Sequence, residues 1–391
     1  MKNVLFVIPT LDSGGVEIGF IEFARKNFEK KDLNIFLLCS GGSLISKVKH
    51  YNITHIAMGV NSKNPLKIFL NIGKIKKILK THHIDLVQVE SRAPAWSCFY
   101  ACRALNIPLV TMVQFNGLFK ETSFFKKIYN SIMFRGNPIV AVSEFVKKYA
   151  LGKYKKYISR KTLQRTIEVV HRGIDVNMYS QDNISQNRKL ILQNNLRLPD
   201  DKIIITLPSR FSLQKGQEYF LSSLRYLRTK NYFCLLIGDI EKNPDYVKRI
   251  EKYIYKHNLQ EFVKIHENIN DMPALYVLSN IVVSSSIQAE SFGRTAIEAQ
   301  SMGKIFVGTA LGGTLETVAD GETGFLAPAN NAREFAMVLE KAIDLPAEEK
   351  LKITKKSRQN VIDNFSFDIM YSKMLDIYNK IDQYENFGAR N

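Results

Sequence analysis

The chain has 391 residues, with 55 Lys and Arg against 37 Asp and Glu, a formal net charge of +18 and 45% hydrophobic residues. That length exceeds a usual single domain and fits two α/β domains, each with enough apolar residues to fill a core. No apolar run approaches the ~20 residues that span a bilayer, and the scattered Cys39, Cys98, Cys102 and Cys234 read as buried thiols of a reducing compartment rather than a disulfide or metal framework.

The opening run to Pro9 imitates a signal peptide, but it is short, and Asp12 and Glu17 follow without a small-residue cleavage site. It reads as a buried first strand, Val4 to Ile8. Ser13-Gly14-Gly15 then leads into a helix over Val16 to Phe28. Consecutive glycines let backbone N–H groups approach an anion at a helix N-terminus, although a plain tight turn uses the same residues. Further strands are expected at Leu33 to Leu38, Ile53 to Ala57, Ile84 to Val89, Leu109 to Met112 and Ile139 to Val142, with helices over Pro65 to Lys80 and Ala93 to Leu105. Arg92, just after the fourth strand, suits an acidic or phosphorylated ligand or a structural ion pair, and Trp96 suits a core. Beyond the fifth strand, Gln114 and Asn116 offer amides that hydrogen-bond a hydroxyl but shuttle no proton at neutral pH.

A basic region follows at 118–165. Phe119, Phe124, Phe125, Ile128, Ile132 and Phe134 mix with Lys120, Lys126 and Lys127, and from Phe145 to Ile167 there are eight Lys or Arg and no acid. An apolar stripe flanked by Lys suits shallow docking on an anionic membrane surface, each basic residue contributing about 1 kcal/mol. A core helix with solvated lysines is the competing reading. His171-Arg-Gly173-Ile-Asp175 forms the joint to the second half. There the alternation restarts near Ile203 and runs to Ala327, and a last helical pattern covers Phe367 to Tyr384. Strands alternating with helices mean a parallel sheet flanked by helices in each half, an α/β class.

The second half carries the chemistry. Ser209-Arg210 and Lys215-Gly216 lie between a strand, Ile203 to Leu207, and a helical run from Gln217 to Leu227. Arg can fork onto phosphate oxygens, Lys supplies a point charge, and Gly admits a close backbone approach. Downstream, the strand from Ile281 opens into Glu290-Ser-Phe292-Gly293-Arg-Thr-Ala-Ile-Glu298, with a helix starting near Ser291 to Gly293. Ligands of such strand-loop-helix units bind beyond the carboxyl ends of the strands. Carboxylates there accept paired hydroxyls of a sugar or ribose; the plainer alternative has Glu290 capping the helix and Glu298 on a solvated face. Gly312-Gly313-Thr-Leu-Glu316 and Asp320-Gly321-Glu-Thr-Gly324-Phe-Leu follow.

Together these motifs, S-R-x4-K-G, E-x7-E, G-G-x-x-E and D-G-x-T-G-F-L, resemble the family 4 glycosyltransferases, over essentially the whole chain. The style of the E-x7-E segment and the R-G-I-D joint is similar to that of bacterial lipopolysaccharide-core mannosyltransferases. The resemblance implies a GT-B fold: two Rossmann-like parallel-sheet domains facing a cleft, residues 1–172 with a C-terminal helix (366–391) crossing back, and residues 173–365 binding the donor. It implies retaining transfer of a hexose from GDP-mannose or a UDP-sugar to a lipopolysaccharide-core or other lipid-linked acceptor on the cytoplasmic face of a membrane. Arg210, Lys215 and Glu290 would then be catalytic. Gly14, Gly15, Phe292, Gly293 and Glu298 would hold the donor, and Arg92, Gln114 and Asn116 would meet the sugar or acceptor. No metal or other cofactor and no nucleic acid are expected. One departure stands out: where the family often carries a first-domain His, this chain has Asn116 or Gln114. Two other readings remain open, a nucleotide-sugar epimerase of the same fold and a basic nucleic-acid-binding protein.

Overall fold

The computed structural model describes residues 1–12, 14–114, 123–154 and 167–383. Asn116, Ser13 and the basic stretches 118–122 and 155–165 lie outside the described residues. The chain divides into two compact units, Met1–Gly173 with Phe367–Asn391, and Ile174–Ser366.

The first unit is built on a seven-stranded parallel sheet in the order β3-β2-β1-β4-β5-β6-β7. Its strands are β1 (Lys2–Val7), β2 (Leu33–Cys39), β3 (Thr54–Ala57), β4 (Leu86–Val89), β5 (Leu109–Val113), β6 (Ile139–Ala141) and β7 (Ile167–Val169). Every residue of β4 and β5 is buried, as expected of parallel strands covered by helices on both faces. Alternate residues supply two cores: Leu5, Val7, Val87 and Val89 face one layer, Val4, Phe6, Ile35 and Leu86 the other. The first layer takes in Ile75 and Leu79 of helix Pro65–Thr81 and Ala95, Cys98 and Cys102 of helix Arg92–Leu105. The second takes in helix Gly15–Lys30 and the last helix, Phe367–Asn379. That last helix is fastened by its tyrosines: the Tyr371 ring packs tilted against Phe23 with centroids 4.9 Å apart and its hydroxyl donates to Asn27 Oδ1 at 3.0 Å, while Tyr378 donates to Gln88 Oε1. It therefore returns to the first unit, as the resemblance implies.

The expected docking stripe divides in two. Phe124, Phe125 and Ile128, on helix Phe124–Ser131, are exposed, but Ile132 and Phe134 are buried in the core. The helix gives way to a 3-10 turn at Ile132–Phe134, which rotates those two side chains inward.

The second unit has six parallel strands in the order β10-β9-β8-β11-β12-β13. They are β8 (Ile203–Pro208), β9 (Tyr232–Ile237), β10 (Val263–His266), β11 (Ile281–Ser284), β12 (Ile305–Thr309) and β13 (Phe325–Ala327). Both sheets wind alike: the chain starts on a central strand, builds outward on one side, then crosses to the other. The switch point lies between β1 and β4 in the first unit and between β8 and β11 in the second. In open α/β sheets, ligands bind outside the carboxyl ends of the strands at such a point.

Candidate active site

In the second unit the loop after β8 runs through a 3-10 turn, Leu213–Lys215, to Gly216 and helix Gln217–Leu224. Gly216 has φ +66°, and a Cβ there would lie 2.1 Å from the Ser285 carbonyl oxygen, so the loops after β8 and β11 pack backbone to backbone. Ser285 Oγ donates to the carbonyls of Lys215 and Gly216 at 3.0 and 3.1 Å, and the Ile287 N–H donates to Gln214 O at 2.9 Å. Gln217, fully buried, donates from Nε2 to Ser209 Oγ and Arg210 O, both at 2.9 Å, and fixes the bend that carries Arg210. The Arg210 residue itself is exposed.

Lys215 and Glu290 meet across this switch point, Nζ to Oε1 at 2.8 Å. Ser284 Oγ donates to the same oxygen at 3.3 Å, and Ser286 Oγ also donates to it. Burial pushes the Glu290 carboxyl up, but the charge and hydrogen bond of Lys215, joined by the two serines, outweigh it and hold the group below its ordinary value. Glu290 is therefore ionised and paired. It does not cap the next helix: the N-cap of Arg294–Ser301 is Gly293, at φ +90°, with no side-chain cap, and the Ala296 N–H donates back to Gly293 O at 3.0 Å.

The third loop props the second. Gly313 N–H donates to Glu290 O at 2.8 Å, and Thr309 Oγ1 donates to Ser286 O at 2.7 Å. A Cβ on Gly312 would stand 2.4 Å from Glu290 O, which explains why small residues sit there.

Glu298 lies in helix Arg294–Ser301 and is 8% exposed, so it is not on a solvated face. Arg294 Nε donates to its Oε1 at 2.7 Å and the Tyr276 hydroxyl to its Oε2 at 2.7 Å. Burial, then the Glu298 charge, pushes the Tyr276 phenol well above its usual range, so it stays a donor. The Phe292 ring packs in the core against Phe365, centroids 5.7 Å apart, which leaves only its backbone facing the loop chemistry.

In the first unit, Gly14 is extended and helix Gly15–Lys30 has no side-chain cap, but Glu17 stands in its first turn. A Cβ on Gly14 would lie 2.2 Å from Glu17 Oε2, so a carboxylate leans over the glycines and opposes an approaching anion. Glu17, Glu90, Arg92 and Gln114 line a pocket of about 170 Å³. The Glu90 side chain, 6% exposed, accepts hydrogen bonds from Gln88 and Gln114 and lies 3.7 Å from Arg172 Nη2. Burial raises its carboxyl, and the Arg172 charge and the amides only partly offset that. Arg92 Nη1 donates to Asn130 Oδ1 at 3.1 Å. Sequence reasoning passed over Glu90, Gln217 and Tyr276. Position offered one usable signal, a carboxylate directly after a central strand for Glu90; the partners of the other two are far off in sequence.

Among the described residues, no group of three or more His, Cys, Asp or Glu is gathered to hold a metal ion, and no helix is long and apolar enough to cross a membrane. The four cysteines are free and buried, and burial pushes the Cys98 thiol up to about 12.

Residues 13–178 match the family model described as Glycosyltransferase Family 4, and residues 189–360 that described as Glycosyl transferases group 1. The capsular polysaccharide biosynthesis glycosyltransferase CapM of Staphylococcus aureus is 25% identical, over 97% of this chain and 98% of its own. A glycosyltransferase crystal structure from Rickettsia africae superimposes with a TM-score of 0.88 at 35% identity, covering 98% of this chain and 99% of that one. Anabaena Alr3699/HepE in complex with UDP-glucose gives a TM-score of 0.82 at 20% identity, over 97% and 100% of the two chains, a likeness of fold alone.

Proposed function

The chain belongs to the family 4 glycosyltransferases, and from that premise we propose that it moves a hexose from a nucleotide-diphosphate sugar to a lipid-linked glycan. The bond from sugar C1 to the diphosphate breaks, C1 bonds to an acceptor oxygen, and one proton is released with the nucleoside diphosphate. Charge on the departing phosphates is the main demand of that step. The observation that carries the reading is the Lys215–Glu290 pair across the switch point, beside exposed Arg210 and the uncapped helix at Gly293. Lys215 keeps two further N–H donors for a phosphate oxygen, and Arg210 adds a second cation. Glu290 accepts hydroxyls of the transferred sugar, and Glu298, oriented by Tyr276, accepts those of the ribose. With two cations for the phosphates, no bound metal is required, and a chelator leaves transfer unchanged.

GDP-mannose and UDP-sugars are the donors to compare; the UDP-glucose held by the Anabaena protein favours the second. The printed role of CapM in capsular polysaccharide biosynthesis supports a polymer or lipid-linked acceptor, with the lipopolysaccharide core as the specific case. Transfer proceeds with retention at C1, read from the anomeric proton of the product. The enzyme works at the cytoplasmic face of a membrane, which it meets through its basic first unit. Membership of this family leaves no support for the epimerase and nucleic-acid readings.

A thermal-shift panel of GDP, UDP, ADP and their sugar conjugates tests the donor site. A ligand at ~100 times its dissociation constant adds about 2.7 kcal/mol of stability. A shift from one nucleotide that Glu298→Ala abolishes supports the assignment; the same shift in Glu298→Ala refutes it.

A further inference from the structure

Two pockets in the first unit adjoin and share Lys63 and Tyr129. One, of about 520 Å³, is lined by Ile68, Phe69, Ile72, Trp96 and Tyr100 and is almost wholly apolar. The other, of about 550 Å³, is lined by Arg92, Lys126 and Asn130, and the charged groups among its described lining residues are all cations. Both are of ligand size, within the roughly 300–1,000 Å³ usual for small-molecule sites. Around them large apolar side chains face solvent: Leu66 is 73% exposed, Phe69 72% and Phe125 80%. Such a patch beside a basic pocket marks an interaction site rather than scattered surface apolarity.

Charge selects the occupant. A second copy of this chain, itself at +18, would bring like charge against Lys63, Arg92 and Lys126. An uncharged apolar ligand would leave the cations unused. We propose that the two pockets form one bipartite site for a single phosphorylated lipid. Its phosphate sits among Lys63, Arg92 and Lys126, and its hydrocarbon chain lies against Phe69, Ile72, Trp96 and Tyr100. This rests on the reading that the acceptor is lipid-linked, and it names where the lipid part is held. Tyr129 stands at the junction, where its carbonyl accepts the Trp96 Nε1–H at 3.2 Å, fixing the indole at the wall of the apolar pocket.

Trp96 is the sole tryptophan of the chain, so emission excited at the red edge, beyond tyrosine absorption, reports this pocket. The experiment titrates the whole protein, without any sugar donor, with farnesyl phosphate below its micelle concentration, with farnesol, with inorganic phosphate and with phosphatidylglycerol vesicles. Farnesyl phosphate shifts the emission saturably, farnesol binds roughly tenfold more weakly for want of charge-assisted hydrogen bonds, and inorganic phosphate leaves the emission unchanged. Replacing both Lys63 and Lys126 with Ala brings farnesyl phosphate down to the farnesol level, whereas Phe69→Asp weakens both lipids. Circular dichroism confirms that the variants, altered only at side chains on the surface, are folded. Equal affinity for farnesyl phosphate and farnesol, or a response to vesicles but not to monomeric lipid, overturns the site. Transfer to a lipid-linked acceptor by Phe69→Asp at the wild-type KM overturns it too while leaving the acceptor reading intact. Saturable farnesyl phosphate binding without transfer to any lipid keeps the site and refutes that reading.

Discussion

Both units wind their sheets outward from a central strand, yet the carboxylate beside each switch point is held in the opposite way. Glu290, after β11, has an ammonium at 2.8 Å and two serine hydroxyls, and its carboxyl is held down. Glu90, after β4, has a guanidinium at 3.7 Å and two amides, and its carboxyl is pushed up. Both side chains are largely buried, so desolvation acts on each; what differs is a cation at hydrogen-bond distance, 2.8 Å, against one at 3.7 Å. The winding of the sheet supplies a place for a ligand, and the nearest cation decides in which direction the carboxyl there is shifted.

Breaking the cationic side of this comparison gives the largest effect. Lys215→Ala removes a preorganised donor to the leaving diphosphate and strands Glu290, so kcat at saturating donor should fall by about a hundredfold or more. A loss below about tenfold would remove Lys215 from the chemistry. The glycines sharpen it next. Gly216→Ala sets a Cβ at φ +66° and 2.1 Å from a carbonyl oxygen, and denaturant titration should show a loss of roughly 1–3 kcal/mol. Gly15→Ala meets open space in the first turn of a helix, and should be neutral or stabilising by up to about 1 kcal/mol. Tyr276→Phe removes one hydrogen bond to Glu298, worth about 1 kcal/mol, so donor KM should rise roughly fivefold with kcat little changed.

The subtlest test uses pH. Glu290, lowered by folding, contributes stability above its unfolded value, which is lost as pH falls through the folded one. Glu290→Gln should therefore lose melting temperature relative to wild type at neutral pH and converge with it in acid. Glu90 is raised by folding, so its contribution is full below the unfolded value and lost as pH rises through the folded one. Glu90→Gln should gain on wild type as pH rises from the acid range to neutrality. Scanning calorimetry of both variants over that range should give slopes of opposite sign; slopes of the same sign would end the comparison.

The α/β class and most strands were legible because parallel strands buried on both faces read as unbroken apolar runs, as in β1 and β5. β7 was not, being three residues, Ile167–Val169, at the edge of a basic tract. Helix Ala347–Asn364 was also passed over, since it buries only Ile353, Ser357 and Val361, a stripe one residue wide on a polar helix. The segments carrying Arg210, Lys215, Glu290 and Glu298 stood out by residue type and spacing. Their hydrogen bonds did not, because Lys215 and Glu290 are joined across 75 positions and Gln114 reaches back to Glu90 across 24. Tertiary partnership of that kind leaves no local periodicity to read.

The return of helix Phe367–Asn379 to the first unit has a consequence for how the chain is made. Ile174–Ser366 is one continuous stretch, so the second unit can complete its core as soon as it has left the ribosome. The first unit cannot: Phe20, Phe23 and Ala24 lack their cover until Tyr371, Met374 and Tyr378 are synthesised. The half of the protein that is translated first is thus the last to finish folding.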